Sequence, residues 1–151
     1  MITGFTRYPQ RAMNTAKKNK LASQRSLSIL IADDDRDTVM TLEAILSDEG
    51  HVVQTVTHGA LVTEAVRRFK PEVCILDIEL PGKNGYGLAR DISAEHGAAR
   101  PVLIAISGKW TAKMDQLLAK TVGFDHFLIK PADPKELLAL FGKPEPSDAA
   151  A

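Results

Sequence analysis

Asp77 closes an apolar run, Val73-Cys-Ile-Leu, and is followed within eight residues by Pro81, Gly82 and Gly85. Such a run suits a short strand buried on both faces of a parallel sheet. The Pro and the two glycines end it in a loop. A carboxylate at the carboxyl end of a central strand stands where open α/β sheets place their ligand sites. Other predicted strands also end in polar groups. Residues 27–32 lead into Asp33 and Asp34, residues 102–106 into Ser107, and residues 124–129 into Lys130. The run Val52–Val56 ends only in Thr57 and His58.

Brought to one edge, these groups form a site with a definite chemistry. Three carboxylates in one cleft cannot all stay ionised cheaply. A hard divalent cation relieves the repulsion, and oxygen-only donors with room for water suit Mg²⁺. Lys130 adds a compact positive charge and Ser107 a hydroxyl donor. Together they can hold a phosphoryl group by neutralising its charge and donating hydrogen bonds to its oxygens. Asp77 is the member central enough to be the nucleophile, which would yield an aspartyl phosphate.

The elements between the strands read as helices that can position this edge. Asp35 or Asp37 can cap a first helix with an apolar face of Val39, Leu42, Ala44, Ile45 and Leu46, stopped by Gly50. Gly59 opens a second that buries Leu61, Val62, Ala65, Val66 and Phe69, before Pro71 breaks the pattern. Residues 85–95 carry Leu88, Ala89 and Ile92 on one face and end at Gly97; residues 111–121 carry Met114, Leu117 and Leu118 on one side. Residues 134–140 make a last helix with Pro134 in its first turn. Five strands alternating with five helical segments predict an α/β fold, a doubly wound parallel sheet. Right-handed crossovers put the strand carboxyl ends on one edge. In the flavodoxin-like order 2-1-3-4-5, strands one and three are neighbours at the switch point.

Four motifs, Leu30-Ile-Ala-Asp-Asp-Asp, Leu76-Asp-Ile-Glu-Leu-Pro-Gly-Lys-Asn-Gly, Ile104-Ala-Ile-Ser-Gly and Phe127-Leu-Ile-Lys-Pro, occur in this order. Jointly they resemble the receiver domain of two-component response regulators, over residues 28–141. The resemblance implies that Asp77 accepts phosphate from a histidine kinase or phosphotransfer protein. It implies that Asp34 binds Mg²⁺ directly and Asp33 through water, with the Glu79 backbone carbonyl as a further ligand. Ser107 stands at the family's switch hydroxyl and Lys130 at its phosphate-binding lysine, and the Lys130–Pro131 bond is expected to be cis. Phe127 occupies the place of the switching aromatic, often Tyr, and lacks its hydroxyl. Glu79 and Lys109 fall where the family tunes the lifetime of the phosphate.

Composition sets the surroundings. The 151 residues carry 19 basic and 19 acidic side chains. Residues 1–28 hold six basic groups and no acid, so the remaining 13 basic and 19 acidic residues leave the body at −6. We read residues 1–26 as a flexible basic tail, 27–142 as the receiver and 143–151 as a flexible C-terminal tail. Nucleic-acid binding is not expected, since no helix-turn-helix is present. The lone cysteine, Cys74, cannot form an internal disulfide and reads as a small buried hydrophobe, which fits a reducing cytoplasm. No apolar run approaches the ~18–20 residues of a membrane span. His51, His58, His96 and His126 lack metal-ligand spacing and read as surface or edge residues. Trp110 is a core residue or an exposed anchor, with the exposed role favoured.

The expected function is a phosphorylation-controlled switch, not an enzyme. On the resemblance, the face made by the fourth helix, fifth strand and fifth helix changes partners, with the chain a monomer or a weak phosphorylation-dependent dimer. Two alternatives stay open. One is a phosphate sink or relay step for a hybrid kinase, which residues 124–134 loosely resemble. The other is a Mg²⁺-dependent phosphatase with an aspartyl nucleophile, for which Glu79 stands at the right distance but the usual Thr-bearing sequence is missing.

Overall fold

The computed structural model describes residues 26–109 and 113–141. Trp110, most of both tails and the predicted start of the helix at Thr111 lie outside them. Five strands form one parallel sheet: β1 (Ser28–Ala32), β2 (Val52–Val56), β3 (Val73–Asp77), β4 (Val102–Ser107) and β5 (His126–Ile129). Their order is β2-β1-β3-β4-β5. The connecting helices are α1 (Arg36–Asp48), α2 (Val62–Phe69), α3 (Gly85–His96), α4 (Lys113–Val122) and α5 (Pro134–Leu140). The flavodoxin-like, doubly wound expectation is met.

Strand alternation sorts the core into two layers, since successive side chains point to opposite faces. Leu30, Cys74, Leu76, Leu103 and Phe127 pack on one face with Val62, Val66, Leu88 and Ile92 of α2 and α3. Ile29, Ile31, Ile75, Ile104 and Leu128 pack on the other with Leu42 and Leu46 of α1 and Leu137 of α5. Every residue of β3 is buried, as the central strand of a two-sided sheet requires. Strand β2 lies at the edge and is only half covered, with Val52 exposed.

The register carries the site. Ala32 pairs with Leu76, Asp77 with Ile106, and Ser107 with Ile129. Asp33, Asp77, Ser107 and Lys130 therefore leave the sheet at one level.

Local signals mostly act as expected. Asp35, not Asp37, is the cap of α1 and accepts from the Asp37 N–H, and Gly50 follows with φ of 93°. Asp133 caps α5, with Pro134 at its first turn. Some apolar positions face differently from the reading. Residues 59–61 form a separate 3-10 turn, and Leu61 on it is 54% exposed. A 3-10 turn advances three residues per turn, so Leu61 is out of phase with Val62 and Val66. Ala44 is exposed, while Leu42 and Leu46 take the buried face. Leu117 and Leu118 are 56% and 47% exposed, leaving Ala119 as the fully buried residue among the described side chains of this stretch. His126 is buried in β5, and His51 accepts from the Leu27 N–H while its ring tilts against Phe141. His126 thus stands on an edge strand of the sheet yet is buried there, and His51 is half-buried.

Candidate functional site

The backbone ladder runs one step past the strand ends and fixes the site residues. The Asp33 N–H donates to the Val56 carbonyl at 3.1 Å, Ile78 to Ile106 at 3.0 Å and Lys130 to Ser107 at 2.9 Å. The loop after β3 is then clamped from two sides. Gly59 N–H donates to the Pro81 carbonyl at 2.8 Å, and a Cβ on Gly59 would overlap the Lys83 backbone. Gly85 donates to Ile78 at 3.1 Å, and a Cβ there would lie 2.8 Å from the Asp77 carbonyl oxygen. Only glycine lets the start of α3 pass this close behind Asp77.

Lys130 joins the two buried carboxylates. Its Nζ lies 3.2 Å from Asp77 Oδ2, 3.2 Å from Asp33 Oδ1 and 3.0 Å from Asp33 Oδ2. Asp77 Oδ1 accepts the Glu79 N–H at 2.9 Å, and Asp33 Oδ1 accepts the Asp35 N–H at 2.9 Å. Asp34 is exposed, yet one oxygen from each of Asp33, Asp34 and Asp77 falls within 4.8 Å of the others. The Lys130–Pro131 peptide is cis.

The electrostatics follow from burial. Desolvation pushes the Asp33 carboxyl up to about 6, against the Asp35 N–H and Lys130, with the Asp77 charge adding to the rise. Burial alone would lower the Lys130 ammonium, but Asp33 and Asp77 outweigh it and hold its pKa above the usual lysine range.

The donor set fits a hard divalent cation. All three side chains offer oxygen only. Asp33 Oδ2 is buried and has no aligned hydrogen bond, only the ion pair to Lys130. A buried oxygen of this kind calls for a partner, and a cation at the Asp33–Asp34–Asp77 cluster would supply one. A cleft of about 300 Å³, lined by Asp35, Thr38, Thr41, Lys130 and Pro131 among others, opens beside it.

Ser107 is placed differently. Its hydroxyl donates to the Glu79 carboxylate, 2.9 Å from Oε2 and 3.2 Å from Oε1, and accepts the Lys109 N–H at 2.9 Å. Phe127 is fully buried, its ring 6.4 Å from that of Phe124. The structure thus gathers Asp33, Asp34, Asp77 and Lys130 into one cluster, and ties Ser107 to Glu79 beside it.

Sequence reasoning missed a second charged pair. Arg100 donates two hydrogen bonds of 2.9 Å to Asp125, whose Oδ2 also accepts the Leu103 N–H at 2.9 Å. This pair ties the start of β4 to the approach of β5, at the sheet edge opposite the site. Nothing in the 25-residue separation signals it.

The model of the response regulator receiver domain matches residues 29–141. The chain belongs to the response regulator receiver domain family. Receiver domains of this family are in general non-enzymatic signalling modules that interact with histidine kinases or phosphotransfer proteins and bind Mg²⁺ in an acidic site. This receiver is 33% identical over 111 residues to the DNA-binding response regulator MtrA of Mycobacterium tuberculosis (strain ATCC 25618 / H37Rv), covering 74% of this chain and 47% of that protein. It is 35% identical over 109 residues to the aerobic respiration control protein ArcA of Escherichia coli (strain K12), covering 72% of this chain and 44% of that one. The chain therefore spans about half the length of the curated relatives it matches.

Among solved structures, the BeF3-activated receiver domain of Klebsiella pneumoniae RstA superposes with a TM-score of 0.69 at 26% identity, over 75% of this chain and 93% of that one. The receiver domain of the sensor histidine kinase PA1611 from Pseudomonas aeruginosa PAO1, described with magnesium coordinated in its active site cleft, gives 0.69 at 25% identity, over 78% and 95%. No helix among the described residues is long and apolar enough to cross a membrane.

Proposed function

We propose that Asp77 accepts a phosphoryl group from a phosphohistidine on a histidine kinase or phosphotransfer protein. The observation that carries this reading is Lys130 Nζ held against both Asp77 Oδ2 and Asp33, with the Asp34 carboxylate at the same cluster. An Asp77 oxygen attacks phosphorus as the phosphorus–nitrogen bond breaks; the imidazole nitrogen keeps the electron pair and takes a proton from solvent. Lys130 stays charged throughout, because its two carboxylates raise its pKa, and it neutralises an oxygen of the group in flight. The Glu79 N–H on Asp77 Oδ1 orients the nucleophile.

Mg²⁺, held by Asp33, Asp34, Asp77 and the Glu79 backbone carbonyl, would offset the charge that gathers between phosphate and carboxylates. Once phosphorylated, Asp77 draws the Ser107 hydroxyl toward it, and with Phe127 this shifts the face formed by α4, β5 and α5 toward a second protein. Exposed Leu117, Leu118 and Ile129 give that face apolar anchors. We take residues 27–142 as the receiver, working in the cytoplasm between tails 1–26 and 143–151. Likeness to the receiver of a sensor histidine kinase also supports a second reading, an intermediate step in a relay.

The test is phosphate uptake from acetyl phosphate with Mg²⁺, followed by intact mass. The parent chain gains one phosphoryl group, and Asp77→Asn gains none. Equal uptake by the variant would rule Asp77 out as the acceptor.

A further inference from the structure

Glu79 reaches the two ends of the switch at once. Its N–H donates to Asp77 Oδ1 at 2.9 Å, while its carboxylate takes the Ser107 hydroxyl at 2.9 and 3.2 Å. A serine hydroxyl has one proton to give. Here that proton is committed to Glu79, and one of the oxygen's lone pairs already receives the Lys109 N–H at 2.9 Å. A phosphoryl dianion on Asp77 offers acceptors only. It can engage Ser107 solely through the proton that Glu79 holds, so the two groups compete for a single donor.

We propose that Glu79 is a positioning residue that latches the Ser107 hydroxyl, so that a phosphoryl group on Asp77 must displace its carboxylate before the switch can move. This rests on Asp77 being the phosphoacceptor and adds a regulator to that site. The latch needs no rearrangement of the fold. Ser107 is buried at the end of β4, whereas the Glu79 side chain projects from an exposed position on the loop after β3 and can swing into solvent. The latch therefore lowers affinity for the phosphoryl group by the free energy of one charged hydrogen bond.

The full chain, with Mg²⁺, is titrated with beryllofluoride as a phosphoryl analogue by isothermal calorimetry. Four proteins are compared: the parent, Glu79→Ala, Ser107→Ala and the double variant. Glu79→Ala is expected to bind about tenfold more tightly than the parent, the size of one hydrogen bond to a charged acceptor. In the Ser107→Ala background, the same change should alter binding by less than about twofold, because the coupling runs through the hydroxyl. An equal gain in both backgrounds overturns the latch and makes Glu79 a simple repulsive charge. No gain in either background, or a loss, overturns it as well. If the parent binds no beryllofluoride, the phosphoacceptor reading falls and the latch with it; normal binding without coupling removes the latch alone.

Discussion

Asp33 shows how burial and function pull against each other in one side chain. Its carboxyl is raised from 3.8 to about 6, chiefly by desolvation. A carboxyl that ionises less readily in the fold than in the unfolded chain contributes stability that is complete below pH 3.8 and is lost as pH rises through about 6. Without divalent cation, the stability of the parent relative to Asp33→Asn should therefore decline between about pH 4 and pH 7. The decline is on the order of 1–2 kcal/mol, after allowing for screening in the open cleft. Urea melts of the two proteins across that range check it. A flat difference would mean that the carboxyl ionises normally. Adding Mg²⁺ at pH 7 should raise the midpoint of the parent more than that of the variant, because a ligand stabilises only the state that binds it.

At the scale of elements, the site depends on two loops braced against each other. Gly59, at the start of the 3-10 turn, receives the loop after β3 with no room for a Cβ beside Lys83. Gly59→Ala should cost about 1–3 kcal/mol by overpacking, measured as a lower urea midpoint, and should slow phosphorylation of Asp77 by shifting its loop. An unchanged midpoint would show that the loop gives way freely. This brace was not legible in the chain, because Gly59 and Lys83 lie far apart in sequence and neither carries a local signal. What was legible rests on stronger physics. The strands read correctly because residues buried on both faces must be apolar in unbroken runs, as Val73-Cys-Ile-Leu shows. Asp33, Asp34, Asp77 and Lys130 were found because parallel topology alone sends their strand ends to one edge. Helix faces were less legible: a 3.6-residue period selects a stripe but not its width, so Ala44, placed on the apolar face of α1, and Leu61, expected to be buried, are both exposed. The bond from Ser107 to Glu79 was beyond reach, since it depends on which way two side chains turn.

For the whole molecule, the two edges of the sheet have opposite assignments. The carboxyl edge keeps its carboxylates incompletely paired, with Asp33 Oδ2 lacking an aligned hydrogen bond. At the other edge, Asp125 is fully satisfied by Arg100 and the Leu103 N–H. Between them lies Cys74, the only sulfhydryl among the 151 residues and fully enclosed in the middle of β3. That placement gives the molecule an internal clock. A thiol reagent such as dithionitrobenzoate can reach the sulfur only when the central strand is uncovered, so its rate of colour development reports opening of the core. With closing fast, the rate should fall roughly tenfold for each 1.4 kcal/mol of added stability. Mg²⁺ should therefore slow modification of a sulfur it never touches. Reaction as fast as that of a free thiol would mean that the strand opens without unfolding the rest.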